Sequence, residues 1–153
     1  MLGACCCALA SLIPITLYQC GGLKTLPDPP SRIFNSERIT SSKAAHPLGI
    51  PDGILGIASF STTLALIILA KKHQPAKKLL GAKLALDASA AAFNASRQVV
   101  SFGKLCSWCT ATALSAGIMA YAGRTTMRDS LHCAISSLPK TRTPQAPSDQ
   151  SPL

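Results

Sequence analysis

Apolar residues collect into four stretches separated by polar or basic ones. The first covers roughly 2–18. The second, about 50–70, is the clearest by hydropathy and matches the ~20 residues that cross the hydrocarbon of a bilayer. The third, 79 to about 102, is alanine-rich and interrupted by Lys83, Asp87, Asn94 and Arg97. Such a helix is not stable with lipid all round, so its polar stripe is expected to face protein or water. The fourth runs from 106 to about 123. Ala88, Ala92 and Ser96 recur every four residues, as do Cys109, Ala113 and Gly117. Small residues at this spacing let helices approach closely. The first stretch reads as a retained span rather than a cleaved leader, because it lacks a positively charged start and an A-x-A-like exit.

The segments between the stretches differ in character. Residues 21–49 begin with Pro27, Pro29 and Pro30, which impose an extended, turn-rich course. A short helix is expected over 36–43, and Pro47, Gly49 and Pro51 break the backbone before the second stretch. Lys71, Lys72, Lys77 and Lys78 crowd the short loop after the second stretch, and Arg124 and Arg128 follow the fourth. Dense positive charge marks the cytoplasmic side. Four spans with both termini inside then put residues 21–49 and the start of the fourth stretch on one outer face. Residues 125–153 are expected to form a cytoplasmic, largely disordered tail, rich in Pro, Ser, Thr and Gln from 137 onward.

Composition supports a membrane protein. Of 153 residues, 48% are hydrophobic and 14% charged, against about 25% charged in soluble domains. The mean hydropathy is +0.30. The net charge of +9 does not point to nucleic acid, since the basic residues flank apolar stretches and aromatics make up 5%. The predicted architecture is an all-α membrane protein, a four-helix transmembrane bundle with a long outer loop between its first two helices.

Chemistry concentrates in Cys106-Ser107-Trp108-Cys109. Two cysteines one helical turn apart can close into a disulfide and reopen. At a helix N-terminus, unpaired N–H groups and the helix dipole favour a thiolate, and Lys104 adds positive charge. The structural alternative is two small packing residues, since free cysteine is commonly buried. A zinc site would need four ligands, and no second Cys/His pair has suitable spacing, so no metal is expected. Thr110 stands where covalent haem attachment requires histidine. Asp87 follows Lys83 by four residues and reads as an ion pair or as part of a proton path. Asp52 precedes an apolar run, as a helix cap does. Ser42 reads as a loop cap.

These features resemble the vitamin K epoxide reductase family. The Cys-x-x-Cys at the outer start of the fourth stretch, Ser41-Ser42-Lys43 in the long loop, and Pro51-Asp52 with Gly56 carry the likeness. Leu26-Pro27-Asp28-Pro29-Pro30 and the run from His46 to Asp52 are similar to a bacterial branch. The resemblance implies that Cys109 exchanges electrons with a quinone (menaquinone, ubiquinone or similar) and that Cys106 exchanges disulfides with a donor. It implies Asp52 as a contact of the quinone carbonyl and Ser42 as a shaper of the site. A tyrosine common in relatives four residues past the second cysteine is replaced by Ala113. Many relatives carry two further loop cysteines that relay electrons; their places here hold Asp28 and Ser36. An external thioredoxin-fold disulfide carrier is therefore expected to act directly, with Cys20 as the alternative relay. The implied function is a quinone-linked thiol oxidoreductase supporting disulfide formation, in a bacterial inner membrane with its site on the periplasmic face. The alternatives are a quinone or quinone-epoxide reductase in its own right, or a non-catalytic membrane scaffold.

Overall fold

In the computed structural model, which describes residues 1–136, the apolar stretches become helices whose ends follow local sequence. Helix α1 spans Leu2–Gln19. It stops where Gly21 turns left-handed at φ 79°. Gly22 N–H then donates to the Leu17 carbonyl at 2.7 Å and Gly21 N–H to the Tyr18 carbonyl at 3.1 Å. A Cβ is strained at that φ, so glycine sits there and the last carbonyls are satisfied. Within the segment between α1 and the second long helix, α2 (Ser36–Thr40) begins at Asn35, whose side chain accepts from Arg38 N–H. Two tight 3-10 turns, Lys43–Ala45 and Pro47–Gly49, follow. The helix expected over 36–43 is thus a short α-helix that passes into a 3-10 turn.

Helix α3 covers Asp52–Leu69 and α4 covers Gln74–Phe102. The latter starts earlier than expected because Pro75 occupies its first turn, where a missing N–H leaves no bond unmade. It ends at Gly103, left-handed at φ 59°. Helix α5 covers Ser107–Ala122, and α6 (Arg124–Ser136) follows directly after Gly123. The tail is therefore not disordered from 125: residues 124–136 are helical, while 137–153 lie outside the described residues. Docking explains the difference. Ser130 Oγ donates to the Lys78 carbonyl at 2.7 Å, and Gly81 lets α6 approach α4 so closely that any Cβ there would collide with Ser130 and Thr126.

Helix α1 packs on α3 and α5, and α4 packs on α3, α5 and α6. Cys5, Ala8, Leu12 and Ile15 form the buried face of α1 and meet Phe60, Leu84, Ala116 and Met119 in one core. The small-residue stripes do not serve the close approaches expected of them. Ala92, Ser96 and Gly117 are exposed. The inward face of α4 is instead set by its polar stripe, which rotates Leu84, Asp87 and Gln98 into the bundle. The close approaches occur at Gly53, Gly56, Gly81 and Gly123. The outward faces carry large apolar side chains, including Ile13 on α1, Ile68 on α3, Phe93 on α4 and Ile118 on α5. Helices α1 and α3 are each long and apolar enough to cross a membrane.

Candidate active site

Cys106 occupies the N-cap of α5, and its Sγ accepts the Cys109 N–H at 3.1 Å. Sulfur and helix N-terminus therefore meet as the spacing predicts, in an arrangement that favours negative charge on Cys106. Its own N–H donates to Oε1 of buried Gln98 at 3.0 Å. That bond fixes the start of α5 against the end of α4. Both cysteines are thiols, with Cys106 fully buried and Cys109 partly so.

Burial of Cys106 comes from residues 27–36, which are strapped onto the motif. Phe34 and Leu105 form a parallel bridge. Leu105 N–H donates to the Ile33 carbonyl, and Asn35 N–H to the Leu105 carbonyl, each at 2.9 Å. Trp108 Nε1 donates to the Pro27 carbonyl at 3.0 Å. Lys104 reaches the Arg32 carbonyl, so its charge is engaged with the strap. Asp28 joins these pieces. One carboxylate oxygen accepts from Ser36 Oγ at 2.5 Å and Ser107 Oγ at 2.6 Å; the other accepts from Ser36 N–H at 2.6 Å. Burial works against its ionisation, but the hydrogen bonds from Ser107 and Ser36 outweigh it and hold the Asp28 carboxyl below the usual carboxylate range.

Cys109, beside Cys106, lines a cavity of about 280 Å³ within the bundle. Leu12, Ile15, Leu55, Phe60, Ala91 and Ala113 supply much of its wall. Asp52, Ser59, Asp87, Asn94, Gln98 and Thr112 are its polar points. This volume suits a ring system, near the low end of the ~300–1,000 Å³ typical of small-molecule pockets.

Of the residues expected at the site, Cys109 and Asp52 share this cavity. Asp52 does not cap α3: Pro51 holds the N-cap position. Its Oδ1 accepts from Gln19 Nε2 at 2.7 Å, and Gln19 Oε1 accepts from Gly53 N–H at 3.1 Å. Ser42 stands apart from the cavity wall, and its hydroxyl donates to the Ile39 carbonyl at 2.7 Å, which matches the loop reading. Cys20 is exposed at the end of α1. Among the described residues, no cluster of three or more His, Cys, Asp or Glu could hold a metal.

Sequence reasoning passed over Gln19 and Gln98, and placed Arg97 in the polar stripe of α4 without naming a partner. Arg97 Nη2 donates to the Ala44 carbonyl at 2.9 Å and pins the 3-10 turn to α4. The available signal was the same in each case: a lone polar side chain near the end of an apolar stretch, which must find a partner inside the protein.

The family model of vitamin K epoxide reductase matches residues 1–123. The chain belongs to the vitamin K epoxide reductase family. No curated protein and no solved structure matches it. Vitamin K epoxide reductase proteins are membrane oxidoreductases of thiol–disulfide and quinone chemistry. Membership and the two apolar helices together make this a membrane protein. The matched residues contain the cysteine motif, the strap and every residue that lines the cavity.

Proposed function

We propose that residues 1–124 form a four-span domain that passes electrons from the thiols of a thioredoxin-fold partner through Cys106 and Cys109 to a quinone, supporting disulfide formation. One observation carries the reading: the two cysteine side chains of one turn stand side by side, Cys109 lining an apolar cavity and Cys106 buried under the strap. The places where relatives carry loop cysteines support it too. Asp28 and Ser36 are in contact, so a carboxylate–hydroxyl clasp stands where a cross-link would be, and no thiol is present there to relay electrons.

The walls fit a quinone. Its ring would lie among the apolar side chains with Cys109 beside it, and Asp52 would donate to a ring oxygen when it carries its proton. A bound quinone supplies an acceptor for two electrons and two protons. The protein begins a cycle with Cys106 and Cys109 in a disulfide. A partner thiolate attacks Cys106 Sγ, the Cys106–Cys109 bond breaks, and Cys109 leaves as a thiolate. The partner's second thiol then attacks its own mixed-disulfide sulfur and releases Cys106. The partner is oxidised and both cysteines are reduced. Cys109 and Cys106 return two electrons and two protons to the acceptor as their disulfide re-forms. The N-terminus of α5 stabilises the charged sulfur during each exchange.

Four spans are supported by the outward face of α4. Leu79, Leu86, Phe93 and Val100, seven residues apart, are all exposed. This is an apolar stripe opposite the polar stripe that lines the cavity, as expected of a helix with lipid on one side and protein on the other. Lys71, Lys72, Lys77 and Lys78 are exposed at the opposite end of the bundle from Cys106, consistent with a periplasmic site and cytoplasmic termini in a bacterial inner membrane.

Anaerobic turnover with a reduced thioredoxin-fold protein and a menaquinone or ubiquinone analogue tests the reading. Wild type should reduce the quinone, and Cys106→Ala and Cys109→Ala should each lose at least ~10³-fold. Absence of any cysteine-dependent reduction with either quinone would return the chain to the scaffold reading.

A further inference from the structure

The charged residues deepest in the bundle take no part in the thiol exchange. Lys83 and Asp87 are an ion pair one turn apart on α4. Asp87 is 6% exposed. It also accepts from Ser59 Oγ at 3.0 Å and from Thr63 Oγ1 at 2.6 Å. Lys83 Nζ donates a second hydrogen bond, to Ser59 Oγ at 2.8 Å. Burying such a pair is costly, and a buried ion pair gives little net stability over an apolar one. The plain reading is a brace between α3 and α4.

Two observations go beyond a brace. Ser59 and Asp87 line the same cavity as Cys109 and Asp52. Ser59 also lies seven residues after Asp52 on α3, on the same face and about 10 Å farther along the helix. A six-membered ring with an oxygen at each end, hydrogen-bonded at both, spans that distance. On α5 the wall offers Ala113, which has no polar group, and Thr112, whose hydroxyl proton is given to the Trp108 carbonyl at 3.0 Å.

We propose that Ser59 is the second polar anchor of a para-quinone in this cavity, holding the ring oxygen remote from Asp52. Lys83 and Asp87 act through Ser59 as positioning residues. This inference rests on the quinone reading above. The Ser59 hydroxyl has one proton, now given to Asp87. Turning it to a ring oxygen leaves Asp87 bonded to Thr63 and Lys83, so no buried acceptor is abandoned. The Lys83 N–H on the Ser59 oxygen polarises the hydroxyl and makes it a stronger donor. The site therefore selects a ring with two opposed oxygens over the same ring with one.

Binding in detergent tests this in a Cys106→Ser/Cys109→Ser background that cannot turn over. Menadione, with two opposed ring oxygens, is titrated by quenching of Trp108, the single tryptophan. Tetralone, the same bicycle with one oxygen, is measured by displacing it. The background protein should prefer menadione. Ser59→Ala should reduce that preference by about 10-fold, the worth of one buried hydrogen bond, and leave tetralone affinity within about 2-fold. Lys83→Met/Asp87→Leu, which removes the pair as a unit, should shift the preference the same way. A mere brace would weaken both ligands alike and move the melting midpoint. An unchanged preference in Ser59→Ala overturns the anchor and leaves the quinone reading standing. Absence of saturable menadione binding in the background protein overturns both.

Discussion

Single side chains decide how the dithiol is covered. Asp28 is the one with a built-in pH dependence. Its folded carboxyl sits below its ordinary range, so the clasp contributes its full stability above about pH 4. That contribution is lost as pH falls through the depressed folded value. Asp28→Asn should cost about 2 kcal/mol at neutral pH. Melting midpoints recorded from pH 7 downward should then converge for wild type and variant in acid; parallel curves would mean that the carboxylate does not hold the strap. The motif and the Lys83–Asp87 pair were legible from residue spacing, whereas Asp52 in the cavity was indicated by the family resemblance alone. The Asp28–Ser36–Ser107 clasp was not, because Ser107 lies 71 or more positions from the other two and only the fold brings it to them.

Between helices, backbone approach carries the site. At Gly53 a Cβ would stand 2.6 Å from Thr16 Oγ1 and 2.9 Å from Gln19 Oε1. Gly53→Ala must push α1 away from α3 and with it the Gln19 amide that holds Asp52. A loss of about 1–3 kcal/mol is expected, together with weaker menadione binding; unchanged binding in a destabilised protein would separate Gln19 from the ligand site. Helix boundaries followed local signals, with Gly21 and Gly103 ending α1 and α4 and Pro75 opening α4. Helix faces were less legible. An alanine stripe and a polar stripe on α4 compete for the inside, and periodicity alone does not rank them. The polar stripe wins, because Asp87 and Gln98 need partners that lipid cannot supply, whereas an alanine facing lipid costs nothing.

For the whole molecule, the orientation proposal has a direct measure. Cys20 and Cys133 are both exposed and lie toward opposite ends of the bundle. In variants that keep one of them as the sole cysteine, a membrane-impermeant maleimide should label Cys20 in intact spheroplasts and Cys133 only after permeabilisation. The reverse pattern would invert the topology and place the dithiol in the cytoplasm. Helix α6, against the expectation of a disordered tail, docks along α4 at the Cys133 end. There it adds contacts without approaching the cavity.

What the chain determines by itself is set by composition and short-range spacing: the all-helical class, the apolar stretches, the Cys-x-x-Cys at a helix start, and a long proline-rich segment between the first two apolar stretches. These are local properties, because helix periodicity and capping involve residues within a turn or two of each other. The tertiary structure alone decided the rest. It buried Cys106 beneath residues 27–36, opened Cys109 to a cavity, and brought Gln19 to Asp52 and Ser59 to Lys83. Each of those contacts joins residues separated by 24 or more positions or depends on which face of a helix turns inward. That choice is made by packing and by the need to satisfy buried polar groups, which no local pattern encodes.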